Sequence, residues 1–156
     1  MSSDLPGYEL PMRLLEGFRV LVDALHAELA VRGHAEARPV HGFVLQAVGL
    51  DGTTAVELGR RLGVTKQAAA KHIEVLERLG YLSREGDPVD ARRKVVRLTD
   101  RGLEMLALSA SIFDELRARW SATLGADRLR ALERDLGVLT AGQPFRVDFP
   151  GLFDKG

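Results

Sequence analysis

The sequence predicts a mainly α-helical fold with a small β-hairpin wing, in which a winged helix-turn-helix lies between N- and C-terminal dimerisation helices. Three observations predict it. Two short helical patterns between residues 54 and 78 are separated by one turn. A basic hairpin pattern follows them directly, and apolar stripes at helical spacing flank the whole segment. Of the 156 residues, 46% are hydrophobic, which is enough for a packed core.

The N-terminal part of the chain predicts two helices. The first begins near Pro11 and reaches about Val31, and its apolar stripe consists of Leu14, Leu15, Phe18, Leu21, Val22, Leu25 and Leu29. Residues 33–38 interrupt the pattern. Pro39 then starts a second helix, which buries Phe43, Val44 and Val48 and ends at a turn marked by Gly49 and Gly52.

The next two helices form the reading unit. One stops at Gly63, and the other starts after the hydroxyl cap Thr65. Ala69, Ile73 and Leu76 recur at three- and four-residue spacing and therefore point inward. The outward residues that we assign to DNA binding are Thr65, Lys66, Gln67, Ala70, Lys71 and Arg78.

These outward side chains suit the major groove of DNA. Lys66 and Gln67 carry groups that pair with base edges, whereas Thr65 and the free N–H groups of a helix start suit phosphate oxygens. Ala70 is small enough to allow close approach. Any amphipathic helix shows a polar face, so this helix alone does not decide between DNA binding and a solvated surface.

The hairpin that follows strengthens the prediction. YLSRE and VVRL read as strands, and GDPVDARRK between them reads as a long tip. The tip presents Arg92, Arg93 and Lys94, and Asp87 and Asp90 lie close enough to brace these cations. Such a wing fits a minor groove or its flanking phosphates, although a charge run is also typical of a solvated surface.

The C-terminal part predicts an unusually long helix capped by Thr99 and broken at Gly125, then a last helix over residues 127–139. The apolar stripe of the long helix consists of Leu103, Leu106, Ala110, Phe113, Leu116, Trp120 and Leu124. The terminal helices carry enough apolar surface for a dimer interface, or alternatively pack as a monomeric core. The tail from residue 142 onward is expected to lie as an extended arm along a partner or to be partly disordered.

The charge distribution favours the reading unit as the nucleic-acid contact. The chain is neutral overall, yet residues 54–101 hold 11 Lys and Arg against 7 Asp and Glu. The absence of cysteine excludes disulfides, thiolate zinc sites and thiol redox sensing. Without an apparent signal peptide or membrane-spanning segment, we expect a cytoplasmic protein without a membrane partner.

Enzyme chemistry is not expected. His26 and His34 each begin a His-x-Glu pattern typical of zinc deaminases, but the accompanying cysteine pair is absent. No acidic cluster accompanies His26, His34 and His41, so we expect no metal and no cofactor. The chain also lacks the Gly-x-Ser-x-Gly nucleophile motif, the Gly-x4-Gly-Lys phosphate loop and Gly-x-Gly-x-x-Gly.

The run from Leu58 to Gly102 resembles the multiple antibiotic resistance regulator (MarR) family, whose pattern of Asp, any residue, Arg, an apolar strand and Leu-Thr-x-x-Gly recurs in DPVDARRKVVRLTDRG. The resemblance implies that Arg92 enters the minor groove and that Asp90 orients the wing. It also implies that Thr65, Lys66, Gln67 and Lys71 contact DNA. Gly59 departs from the alanine usual in the family, and glycine either loosens this helix or admits a neighbouring backbone.

We therefore predict a sequence-specific regulator of transcription that binds a palindromic operator in double-stranded DNA as a homodimeric repressor. The alternative is a winged-helix protein-interaction module without specific DNA binding. The predicted DNA-binding lobe spans residues 39–102, and the helical dimerisation region spans 1–38 and 103–156. The resemblance also implies a small aromatic or amphipathic effector between these regions, at a pocket that draws on Phe18, Leu25, His26, His41, Phe43 and Trp120. Alternatively, these residues merely fill a core.

Overall fold

A computed structural model describes residues 5–147, which form six α-helices and one two-stranded antiparallel sheet. The fold is mainly helical with a small hairpin, as the sequence predicts. The elements in chain order are α1 Glu9–Leu29, α2 Pro39–Val48, α3 Ala55–Leu62, α4 Lys66–Arg78, β1 Leu82–Gly86, β2 Lys94–Leu98, α5 Asp100–Leu124 and α6 Ala126–Leu139.

Helix α1 differs from the predicted span at both ends. It begins at Glu9, two residues before the predicted start, because a proline in the first turn loses no intrahelical hydrogen bond. After Leu29 the chain continues as a π-helical turn, Ala30–His34, in which Gly33 has φ +95°. This turn carries His34 into the interior, where the side chain is 1% exposed.

Helices α2, α3 and α4 share one core with the hairpin, and its centre includes Val44, Leu58 and Ile73. The chain before α3 also joins the wing. The N–H of Thr53 donates to the Val96 carbonyl at 2.9 Å, and the N–H of Val96 donates to the Thr53 carbonyl at 2.7 Å. Strand β2 therefore pairs on both sides, which fixes the wing against α3.

The buried face of α5 differs from the predicted stripe. Gly102, Met105, Ser109, Ile112 and Leu116 are buried, whereas most residues of the predicted stripe are half-buried or exposed. The shift arises at the start of the helix, where a Cβ at position 102 would overlap the Tyr81 carbonyl oxygen. A glycine at this position brings the backbone of α5 directly against the residue that precedes β1.

A substantial apolar surface stays exposed on α1 and α6. Helix α6 buries only Leu129 and packs on α5, where Arg117 donates two hydrogen bonds to the Glu133 carboxylate at 2.5 and 2.7 Å. The exposed large apolar side chains of these two helices include Leu10, Leu14, Leu15, Val20, Leu132, Val138 and Leu139. Among the residues that the structure describes, no helix is long and apolar enough to cross a membrane.

Part of the C-terminal tail lies on α2 and α3 of its own chain. The N–H of Val147 donates to the Leu62 carbonyl at 3.2 Å, and the ring centroid of Phe145 lies 4.9 Å from that of Phe43. Residues 143–147 are thus an intramolecular contact, in contrast to the expected arm along a partner. The expectation for the rest of the tail falls on residues 148–156, outside the described part of the chain.

Candidate nucleic-acid interface

Helix α4 presents its first turn to solvent. The Thr65 hydroxyl accepts a hydrogen bond from the Ala68 N–H at 3.1 Å, which fixes the start of the helix. Thr65, Lys66, Gln67 and Lys71 are exposed, and Ala70 is half-buried beside them. The opposite face buries Ala69, Ile73 and Leu76, as the spacing predicts.

The turn before α4 depends on close backbone packing. Gly63 ends α3 at φ +68°, a conformation that favours glycine. A Cβ on Gly59 would lie only 3.0 Å from the Val64 carbonyl oxygen. The departure from the family's alanine therefore accommodates the backbone of the turn, which was one of the two explanations that the sequence left open.

The carboxylates of the wing tip hold its backbone. Asp87 accepts a hydrogen bond from the Val89 N–H at 2.8 Å, and Asp90 accepts one from the Arg92 N–H at 3.0 Å. Within the described residues, the side chains of Arg92, Arg93 and Lys94 form no ion pair and are exposed. The expectation that the acids brace the cations directly is therefore wrong: the acids shape the loop, and the cations stay available.

A groove of about 550 Å³ joins the wing to the two helices of the reading unit. It brings Lys66 and Ala70 of α4 together with Arg92, Arg93 and Lys94 of the wing. Six Lys and Arg side chains line it against one carboxylate, Glu57. This concentration of positive charge between a helix and a hairpin suits a polyanion such as a nucleic-acid backbone.

The sequence missed six residues of this groove, namely the polar Thr54, Glu57, Arg60 and Arg84 and the apolar Ala55 and Val56. Thr54 caps α3 by accepting a hydrogen bond from the Glu57 N–H at 3.3 Å, and its Thr-x-x-Glu spacing was a readable signal. Arg84 pairs with Glu77 at 2.5 Å. Its place in the groove depends on how β1 crosses α4, which no local pattern reveals.

Arg78 does not line this groove. It lies at the last turn of α4 and lines a second groove of about 630 Å³ together with Arg38, His41 and His72. The outward face of a helix spans a wide arc. Arg78 lies at the C-terminal end of α4, on a different side of this face from Lys66 and Ala70. Its predicted role in DNA binding thus gains no support from this placement.

The MarR family model matches residues 38–93, which include α2, the reading unit and the tip of the wing. This segment of the chain is of the MarR-family type. It is also 31% identical over 86 residues to the LexA repressor of Deinococcus radiodurans; the match covers 53% of the chain and 39% of that protein. The chain spans less than half the length of the curated relatives it matches.

Two solved structures resemble most of the chain. The PcaV transcriptional regulator of Streptomyces coelicolor, solved with its natural ligand, is 27% identical with a TM-score of 0.63; the match covers 92% of this chain and 98% of PcaV. A MepR variant of S. aureus, solved with an oligodeoxyribonucleotide, is 21% identical with a TM-score of 0.60; the match covers 88% and 98%. The MepR likeness is one of fold.

An apolar cavity of about 180 Å³ lies where α1, α2 and α5 meet. Three of the six predicted pocket residues line it: Leu25, His26 and Phe43. Phe18 stacks on Phe43 with ring centroids 6.2 Å apart. The cavity wall also includes Ser109, whose buried hydroxyl has no hydrogen-bond partner among the described residues.

The other two predicted pocket residues lie elsewhere. The Trp120 ring reaches α1, where it would lie 3.4 Å from a Cβ on Gly17. His41 lines the second groove. These two placements correct the predicted pocket. Both residues lie on helices that border the cavity, but which face of a helix meets which neighbour depends on helix crossing and was not readable from spacing.

His41 is held as a neutral imidazole. Its Nδ1 accepts a hydrogen bond from the Arg38 N–H at 3.0 Å, so Nδ1 carries no proton. Burial, together with the nearby His72, Arg38 and His26 side chains, lowers the pKa of His41 from 6.5 to about 4. Burial and the charge of Arg101 also lower the pKa of His34, whereas Glu104 opposes this shift.

The lowered pKa of His41 predicts acid sensitivity. The unfolded chain protonates His41 below about pH 6.5, whereas the folded chain keeps it neutral down to about pH 4. The stability that depends on neutral His41 is thus complete above pH 6.5 and is lost as the pH falls towards 4. In His41→Asn, the amide oxygen can still accept from the Arg38 N–H but does not titrate. Urea unfolding should show a shallower fall of the unfolding free energy in this window than in the wild type; equal slopes would contradict the assignment.

Proposed function

We propose that this chain is a sequence-specific, double-stranded DNA-binding regulator of transcription that acts as a homodimer. The observation that carries the proposal is the groove in which the exposed start of α4 and the unpaired cations of the wing face the same space. A helix start and a basic hairpin side by side suit a major groove and the adjacent minor groove. The family and fold are those of transcriptional regulators, and we propose no catalytic role.

The helix and the wing have different roles in this proposal. Lys66, which lines the groove, and Gln67, which is exposed beside it on the first turn of α4, read base edges, whereas Arg92 binds the minor groove or its phosphates through charge. Thr65 and the free N–H groups around it bind a phosphate. The MepR variant solved with an oligodeoxyribonucleotide has the same fold, which supports a DNA ligand for this surface.

The exposed apolar side chains of α1 and α6 support a dimer. One reading unit per chain reads one half-site, and a two-fold dimer would place two such units on a palindromic operator. Leu10 and Leu14 on α1 and Leu132 and Val138 on α6 are each at least 40% exposed in the single chain. Their burial against a second copy would remove an unfavourable apolar surface from water. Action on an operator would also place the protein in the cytoplasm.

We also propose that the apolar cavity takes a small aromatic effector that relieves repression. Its volume of about 180 Å³ suits a single ring, since a cavity of roughly 150 Å³ accepts benzene. The Ser109 hydroxyl offers one directed polar contact in a mostly apolar wall that also includes His26 and Gln46. PcaV was solved with its natural ligand, which supports ligand control in a relative of this size. A ligand would release DNA only if it favoured a distance between the two reading units of the dimer that differs from the distance in the DNA-bound dimer.

Two substitutions should separate base reading from anchoring. Gln67→Ala should lose about 1 to 3 kcal/mol of binding free energy on the operator, which is obtained by selecting bound sequences from a random duplex pool. It should lose little on random duplex, because a base contact carries the discrimination between sequences. Arg92→Ala should weaken all duplexes and reduce the salt slope of log K by about 1. Binding measured by fluorescence anisotropy over a salt series tests both.

Arg119→Ala is the matched control, since Arg119 is exposed on α5 outside the groove and outside the apolar faces of α1 and α6. It should leave both operator affinity and salt slope unchanged. Equal losses on specific and random DNA by the Gln67 and Arg92 variants would show that the roles are wrongly assigned. Absence of salt-dependent duplex binding would instead favour the protein-interaction module.

Filling the cavity should abolish the effector response. A Cβ on Gly42, which lines the cavity, would meet no atom within 4 Å, so Gly42→Val occupies ligand space without a clash at Cβ. Phenolic compounds that release the wild type from its operator should bind this variant at least about tenfold more weakly by calorimetry. Gly137→Val on α6, also free of atoms within 4 Å, is the control. A Gly42→Val protein that responds like the wild type would contradict the site.

A further inference from the structure

A buried polar network lies at the point where the reading unit meets the flanking helices. Its centre is Tyr81, which follows α4 and precedes β1 and is 0% exposed. The hydroxyl of Tyr81 lies 2.8 Å from Nδ1 of His34, which is 1% exposed. The guanidinium of Arg101 in the first turn of α5 donates to the same hydroxyl at 3.3 Å.

Each polar group of this network has a partner. A guanidinium only donates, so the Tyr81 oxygen accepts from Arg101, and the same hydroxyl shares a second hydrogen bond with Nδ1 of His34. Nε2 of the His34 ring lies 3.9 Å from a Glu104 carboxylate oxygen. Burial raises the pKa of Tyr81 and lowers the pKa of His34, which favours the neutral form of both groups.

Arg101 extends the network to the backbone of two helices. It donates to the Leu79 carbonyl at the end of α4 at 3.2 Å and to the Gly33 carbonyl in the π-helical turn at 3.1 Å. Its guanidinium carbon also lies 4.7 Å from the centroid of the Tyr81 ring. One buried cluster thus joins the end of α1, the end of α4 and the start of α5.

We propose that Tyr81 is a positioning residue for DNA binding. Its hydroxyl holds α4, the recognition helix, at a fixed angle to the flanking helices α1 and α5. Helix α4 has 13 residues and is about 20 Å long, so a small rotation at its Tyr81 end displaces Lys66 at the other end. In a homodimer this angle sets the separation of the two recognition helices. The inference rests on the proposed function. It adds that the Tyr81 hydroxyl sets the angle of α4 and thereby the separation of the two reading units.

Tyr81→Phe tests the proposal, because it removes the hydroxyl and keeps the ring. Tyr8→Phe is the matched control, since Tyr8 is 63% exposed and its side chain caps no helix. Each protein is titrated with the selected operator and with versions whose half-site separation is changed by one or two base pairs. We expect Tyr81→Phe to bind the selected operator about tenfold more weakly and to lose most of the preference for its spacing.

A second readout reports the reader geometry without DNA. The chain contains no cysteine, so Gln67→Cys allows one spin label on each recognition helix of the homodimer. The distribution of distances between the two labels should broaden when Tyr81→Phe is added and stay narrow with Tyr8→Phe. A purely stabilising role would lower the melting temperature of Tyr81→Phe without changing the spacing profile.

The outcomes separate the two proposals. A Tyr81→Phe protein with the wild-type spacing preference and a narrow distance distribution overturns the positioning role. A wild-type protein that binds no duplex at any salt concentration overturns the proposed function. In that event the label distances still decide whether Tyr81 holds the reading unit in place.

Discussion

The structure depends on the close approach of the first turn of α5 to the residue before β1. The Thr99 N–H donates to the Tyr81 carbonyl at 3.1 Å, and the Thr99 hydroxyl donates to the Gly80 carbonyl at 2.6 Å. Gly102 permits this contact, because any Cβ there would overlap the Tyr81 oxygen. The wing strand, the recognition helix and the long helix α5 therefore meet at one rigid junction.

This junction explains how a chain without net charge presents a charged reading surface. Six Arg and Lys residues of α3, α4 and the wing line one groove because β2 is paired with both β1 and Thr53, and because Tyr81 joins the end of α4 to β1. The carboxylates of the wing tip bond backbone N–H groups instead of neutralising the arginines. The positive electrostatic potential of the groove thus follows from the fold and is not apparent from the net charge of the chain.

The sequence predicted those features that short-range rules determine. The caps Thr65 and Thr99, the turn at Gly63 and the inward face of α4 all depend on residues within one or two helical turns. The buried face of α5 was predicted wrongly, because it includes Gly102 and Ser109, which an apolar pattern does not count. Gly102 is buried because the Tyr81 backbone lies too close to admit a Cβ. The placements of Trp120, His41 and Arg78 depend on how helices cross, and the His34–Tyr81–Arg101 network joins segments far apart in sequence. No local pattern predicts such contacts.

Selection of bound sequences from a random duplex pool decides whether two copies of this reading unit recognise DNA together. We expect enrichment of an inverted repeat whose half-site centres lie about 10 bp apart, on one face of the duplex. A selected site without an inverted repeat, or no enrichment over the starting pool, would contradict it.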